Sequence, residues 1–94
     1  NIRISNSNIG IAVKDKSIAE FHSIQLKNLE IGYSVYQKKP EFGPARLLIN
    51  NSSNSDLKDL FLLEKNSKLS INNSKIEDYT DNVSILLQNK FSTL

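Results

Sequence analysis

The feature that most constrains this chain is a short apolar strand that returns four times, as Gly10-Ile11-Ala12-Val13, Gly32-Tyr33-Ser34-Val35, Leu60-Phe61-Leu62-Leu63 and Ser84-Ile85-Leu86-Leu87. The steps between the second residues of these segments are 22, 28 and 24 residues (11 to 33, 33 to 61, 61 to 85). Recurrence at that spacing marks a repeat architecture, in which no unit can bury its apolar face alone and each covers the next. The match extends outward. Ile2-Arg3-Ile4-Ser5-Asn6 falls on Ile24-Gln25-Leu26-Lys27-Asn28, and Ile9 on Ile31, at the 22-residue step. A second strand returns as Ala19-Glu20-Phe21, Leu47-Leu48-Ile49 and Leu69-Ser70-Ile71. In extended chain the outer side chains of each triplet share a face and the middle one points away, so the shared face is the interior.

These patterns predict an all-β fold: a parallel β-helix of roughly four turns over 1–88, with 89–94 as a tail or cap. Its interior column is Ile11, Val13, Tyr33, Val35, Phe61, Leu63, Ile85 and Leu87. The apolar spacing of Leu57, Leu60 and Phe61 also permits a short helix over 56–63, but the repeat favours strand for Leu60–Leu63. Where Ile24-Gln25-Leu26 gives way to Ser52-Ser53-Asn54 and Ser74-Lys75-Ile76, the interior thins, and 50–59 is expected to be irregular with Leu57 dipping inward.

The corner after the second strand carries His22-Ser23, Asn50-Asn51 and Asn72-Asn73 at equivalent positions. Asn tolerates a left-handed backbone and bonds its own chain locally. Amides stacked about 4.8 Å apart can also bond one another in a ladder, with Asn51 above Asn73 as the candidate pair. Pro40, Gly43 and Pro44 forbid regular pairing across 37–45, which is therefore a surface loop. In repeat folds such insertions often carry binding.

With 94 residues the chain is one compact unit or a piece of one. It opens on a strand pattern without an initiator Met, and is read as an excerpt of a longer protein. A net charge of +2, with lysines interleaved among acids, argues against nucleic acid as a partner. No run approaches the roughly 18 apolar residues that membrane insertion requires. The absence of cysteine excludes disulfides and thiolate metal sites.

Gly10-Ile11-Ala12-Val13-Lys14-Asp15 with Ser17, followed by Ile31-Gly32-Tyr33-Ser34-Val35-Tyr36-Gln37-Lys38-Lys39-Pro40-Glu41-Phe42-Gly43, resembles the right-handed β-helix repeats of bacterial surface proteins. The likeness is greatest to the β-helix segments that accompany CotH-type kinase-like domains and lamin-tail-like domains, and it covers about residues 1–71. The resemblance implies a pectate-lyase-like, right-handed scaffold near the C-terminal end of its β-helix. It also implies export, to the extracellular space or cell surface. It brings no catalytic residues.

Enzymes on that scaffold use clustered carboxylates with calcium and a basic residue, or paired carboxylates. The outward positions here are Ala12, Ser34, Leu62 and Leu86, then Glu20, Leu48 and Ser70, which form no acidic cluster. Lys14-Asp15 and Glu64-Lys65 read as solvated corners. His22 beside Ser23 reads as a polar corner too, because neighbouring strand residues point to opposite faces and a nucleophile needs a third, orienting group. No catalytic residue, metal or cofactor is expected. The candidate ligand surface is Tyr36, Gln37, Lys38, Lys39, Glu41, Phe42 and Arg46, where aromatic faces and amide or cationic donors suit a sugar or an acidic partner. The expected function is a non-enzymatic scaffold or interaction module of a larger exported bacterial protein. Its partners would be the other domains of that protein, and carbohydrate or protein. The alternative is a carbohydrate-binding or polysaccharide-active segment.

Overall fold

A left-handed residue in mid-strand shapes the main sheet. In the computed structural model, which describes residues 2–38 and 40–91, β1 (Ile2–Lys14), β3 (Ile24–Tyr36) and β5 (Ser52–Leu63) form a parallel sheet in the order β1-β3-β5. Asn6, Asn28 and Asp56 sit at equivalent places in these strands with φ of 56°, 57° and 59°. Each strand bends there, and the recorded pairing passes from Ser5↔Lys27 to Ser7↔Leu29 and from Lys27↔Ser55 to Leu29↔Leu57. Asn and Asp are the side-chain-bearing residues that enter this region most readily. The stacked amides also bond: Asn28 Nδ2 donates to Asn6 Oδ1 at 2.8 Å. The third place in the column holds a carboxylate, which cannot donate onward to Asn28 Oδ1. Asp56→Asn is therefore expected to extend the ladder and raise stability by about 0.5–1 kcal/mol, read as a higher denaturation midpoint; an unchanged or lower midpoint would show that the column ends at Asn28.

The second sheet contains β2 (Ile18–Phe21), β4 (Arg46–Ile49), β6 (Lys68–Ile71) and β7 (Ser74–Lys75), in that order. Its first three strands run parallel and β7 turns back antiparallel onto β6. Between the sheets lies the main core, in which Ile24, Leu26, Leu29, Tyr33, Val35 and Leu63 meet Leu47, Ile49, Leu69 and Ile71. A single-turn 3-10 helix (Pro40–Phe42) lies in the loop after β3, and α1 (Val83–Lys90) ends the described chain. Val83 and Leu87 of α1 form a separate cluster with Ile31 and Leu62. Leu62 points away from Phe61 and Leu63, so α1 covers the side of β5 that the main core does not.

The expected four-turn, pectate-lyase-like parallel β-helix is corrected by this architecture. The strands form two separate sheets, one parallel and one mixed, with no closed solenoid. Ile11↔Tyr33↔Phe61 and Val13↔Val35↔Leu63 occupy paired positions. Ile85 and Leu87 do not join them, because both lie in α1, where Ile85 is 56% exposed and Leu87 2%. The physical reason is spacing: Val83, Leu86, Leu87 and Phe91 recur at the interval of one helical face, which competes with the strand reading of the same residues. The helix also runs across the expected boundary at 88, and 92–94 lie outside the described residues. The irregular segment expected at 50–59 is instead mostly strand, since Ser52 to Ser55 pair with Ile24 to Lys27. Ladder bonding uses the backbone and does not need apolar side chains.

Candidate interaction surfaces

The 37–45 loop is tied to the corner between β1 and β2. Asp15 and Lys16 adopt φ of 51° and 59°, the Asp15 N–H donates to the Tyr36 carbonyl at 3.1 Å, and the Lys38 N–H donates to Asp15 Oδ1 at 2.7 Å. The Lys16 N–H reaches the Gly43 carbonyl at 3.3 Å. Two backbone strands of this corner are thus fixed by one carboxylate and its neighbours, and the loop leaves them in a defined direction.

That direction divides the predicted ligand surface. Tyr36 is half-buried against the cluster under α1, while Gln37 and Lys38 line a cleft of about 370 Å³ with Glu64, Asp81, Asn82 and Ser84. Glu41 is exposed, as is Phe42 at 41%. Lys39 lies outside the described residues. Arg46 is elsewhere, on the outer face of the second sheet. Of the described six, Tyr36, Gln37 and Lys38 lie on the α1 side and Arg46 on the outer face of the second sheet.

At the cleft, Glu64 Oε1 accepts from the Val83 N–H at 2.9 Å. Asn82 has a left-handed backbone and makes no side-chain cap, so the carboxylate of a β-strand's end supplies the acceptor and the negative charge that a helix start favours. At the other end Lys90 Nζ lies 3.6 Å from Glu30 Oε1, which is also 3.3 Å from Lys58 Nζ. Burial raises the Tyr36 phenol above its ordinary value, and the charges of Asp15 and Glu64 push the same way. Tyr33 is raised by burial too, partly offset by its 2.6 Å hydrogen bond with Ser52 Oγ. Both phenols are therefore protonated and neutral across the neutral pH range.

The polar partners of this corner are specific: His22 Nε2 is 3.6 Å from Glu20, its Nδ1 is 3.5 Å from Asn50 Nδ2, and Ser23 Oγ accepts from Asn51 at 3.3 Å. The expected Asn51–Asn73 ladder is replaced by that Asn51–Ser23 bond and by Asn72, whose Oδ1 accepts from the Ser52 N–H at 2.7 Å and whose Nδ2 donates to the Ser52 carbonyl. Asn73 is one residue past this bonded position. Among the described residues no three of His, Cys, Asp and Glu are grouped to hold a metal ion, and no helix is long and apolar enough to cross a membrane.

On the second sheet's outer face, Ile18, Arg46 and Lys68 occupy one row of paired positions, and Glu20, Leu48 and Ser70 the other. Arg46, Leu48, Lys68, Ser70 and Lys75 line a shallow depression of about 340 Å³, and Lys16 and Ile18 flank it beside Arg46 and Lys68. Sequence reasoning named Arg46 as a candidate ligand residue here and placed Glu20, Leu48 and Ser70 outward. The signal for Ile18 and Lys68 is one residue upstream of each recurrent triplet, where strand parity sends Ile18, Arg46 and Lys68 outward together. No family model matches the chain, and no match is found among curated proteins or solved structures, so the resemblance noted above rests on the quoted residues alone.

Proposed function

We propose that this chain is a non-enzymatic scaffold and interaction module within a larger, exported bacterial polypeptide. What supports the reading is the use made of the polar side chains. Asn28 with Asn6, Asn72 with Ser52, Tyr33 with Ser52, Asn51 with Ser23 and Glu64 with α1 each join one part of the fold to another. Among the described residues the two groups whose acidity is shifted, Tyr33 and Tyr36, are shifted away from reactivity at neutral pH. Such bonding fixes the position of the surfaces rather than poising a reactive group. The observation that carries the proposal is the continuous parallel register of β1, β3 and β5, which holds both faces of the main sheet in fixed relation. Replacing residues 2–91 by a flexible Gly/Ser linker of equal length in the parent polypeptide tests it. The expected result is loss of the parent's assembly or partner binding while its flanking segments stay folded; a linker-bearing parent that assembles and binds normally overturns it.

A further inference from the structure

We propose that the outer face of the second sheet docks an extended acidic peptide segment bearing apolar side chains. The inference rests on the interaction-module reading and names the chemistry of the partner. Its first ground is an electrostatic arrangement with no structural use. Arg46 and Lys68 are direct partners on adjacent parallel strands, so their side chains leave the sheet only about 4.8 Å apart. Like charges placed so weaken a sheet. Neither side chain is in an ion pair among the described residues, and the same holds for Lys16 beside them. Lys75, 3.8 Å from Glu77, closes the rim, and the acid on the face itself, Glu20, is next to His22. The second ground is apolar. Ile18 is 74% exposed at the end of the cationic row, and Leu48 and the stems of Arg46 and Lys68 line the depression next to it.

A cationic rim around an aliphatic floor selects among anionic partners. Sugars are held on aromatic faces, and apart from Glu20, which is next to His22, the residues of these rows are aliphatic, cationic or hydroxyl-bearing. An anionic bilayer would be met by one projecting apolar side chain, Ile18, which gives little buried area. An extended acidic peptide satisfies both features: its carboxylates reach Arg46, Lys68, Lys16 and Lys75, and an alternate apolar side chain enters the depression. Adjacent like charges then become an asset, because one carboxylate between Arg46 and Lys68 neutralises their mutual repulsion.

The test is fluorescence polarisation with a labelled peptide alternating Asp or Glu with Leu, against three comparators: the same peptide with Ser for Leu, a heparin fragment, and vesicles of anionic phospholipid. The Leu-bearing peptide is expected to bind saturably, more weakly as salt rises, and about tenfold or more weakly to Lys68→Glu. Because Lys68→Glu sets opposite charges across the strands, its melting temperature is expected to be unchanged or higher, which separates lost binding from lost folding. Ile18→Ser is expected to weaken the Leu-bearing peptide and leave the Ser-bearing one unaffected. Equal binding to Lys68→Glu, equal binding of both peptides, no saturable peptide binding, or heparin or vesicles binding in preference to peptide would each overturn the proposal. Failure here beside a parent that cannot tolerate the linker replacement removes this partner only; the reverse pattern removes the scaffold reading only.

Discussion

Gly32→Ala is expected to destabilise the protein by about 1–3 kcal/mol or more, and by more than Gly10→Ala. A Cβ on Gly32 would lie 2.5 Å from the Leu60 carbonyl oxygen, 3.1 Å from Leu26 Cδ1 and 3.2 Å from Leu57 Cδ1. The two leucine tips can rotate; the carbonyl cannot, since it is backbone of β5. Relief therefore requires β3 and β5 to separate locally, next to the paired rows Ile31↔Asp59 and Tyr33↔Phe61. A Cβ on Gly10 would meet the Gly32 carbonyl oxygen at 2.6 Å, a similar clash. Its consequence differs, because β1 is an edge strand and can move outward, whereas β3 is held on both sides. Urea or guanidinium unfolding of the two variants measures the difference. Gly32→Ala within about 0.5 kcal/mol of the parent, or an effect no larger than that of Gly10→Ala, would show that the close approach of β3 and β5 does not constrain the fold.

These two glycines also show why part of the structure was legible in the sequence. Gly10 and Gly32 recur 22 residues apart in front of Ile11 and Tyr33, and the strands that carry them pair at that same step. Parallel pairing in register demands like residues at like positions: a small residue where backbones approach, an Asn where the strand turns left-handed, an apolar residue where the core lies. Two kinds of information were not legible. At Ser52-Ser53-Asn54-Ser55 the apolar pattern vanishes while the pairing continues, because backbone hydrogen bonds leave no trace in side-chain type. At Ser84-Ile85-Leu86-Leu87 an apolar run fits both the strand repeat and one helical face, and four residues are too few to separate a period of 2 from one of 3.6. The candidate surface met the same limit. Tyr36 to Arg46 are close in sequence, but the loop crosses from the side covered by α1 to the outer face of the second sheet. The cations that accompany Arg46, at Lys16, Lys68 and Lys75, come from other parts of the chain and become neighbours only through the sheet order β2-β4-β6-β7.

The ambiguity at 84–87 has a direct experimental resolution in Leu87→Ala set against Ile85→Ala. In a strand residues 85 and 87 share a face, so both truncations would have comparable effects. In α1 they point apart: Leu87 is buried at 2% with Val83, Ile31 and Leu62, while Ile85 is 56% exposed. Leu87→Ala is expected to cost about 2–5 kcal/mol, as buried leucines do, and Ile85→Ala to stay within about 0.5 kcal/mol of the parent. The loss from Leu87→Ala is also expected to be local. An eight-residue helix is far below the length that persists alone in water, so α1 depends on its docked side chains, helped at its start by Glu64 and at its end by the Lys90–Glu30 pair. The core between the sheets, with Leu47, Ile49, Leu69 and Tyr33, makes up a separate cluster and does not include Leu87. Hydrogen exchange should therefore show protection lost first at the Leu86 and Phe91 amides, which bond to Asn82 and Leu87, with β3 and β4 still protected. Equal effects of the two substitutions would mean that residues 83–90 pack as a strand, and uniform loss of protection would mean that α1 and the two sheets unfold as one unit.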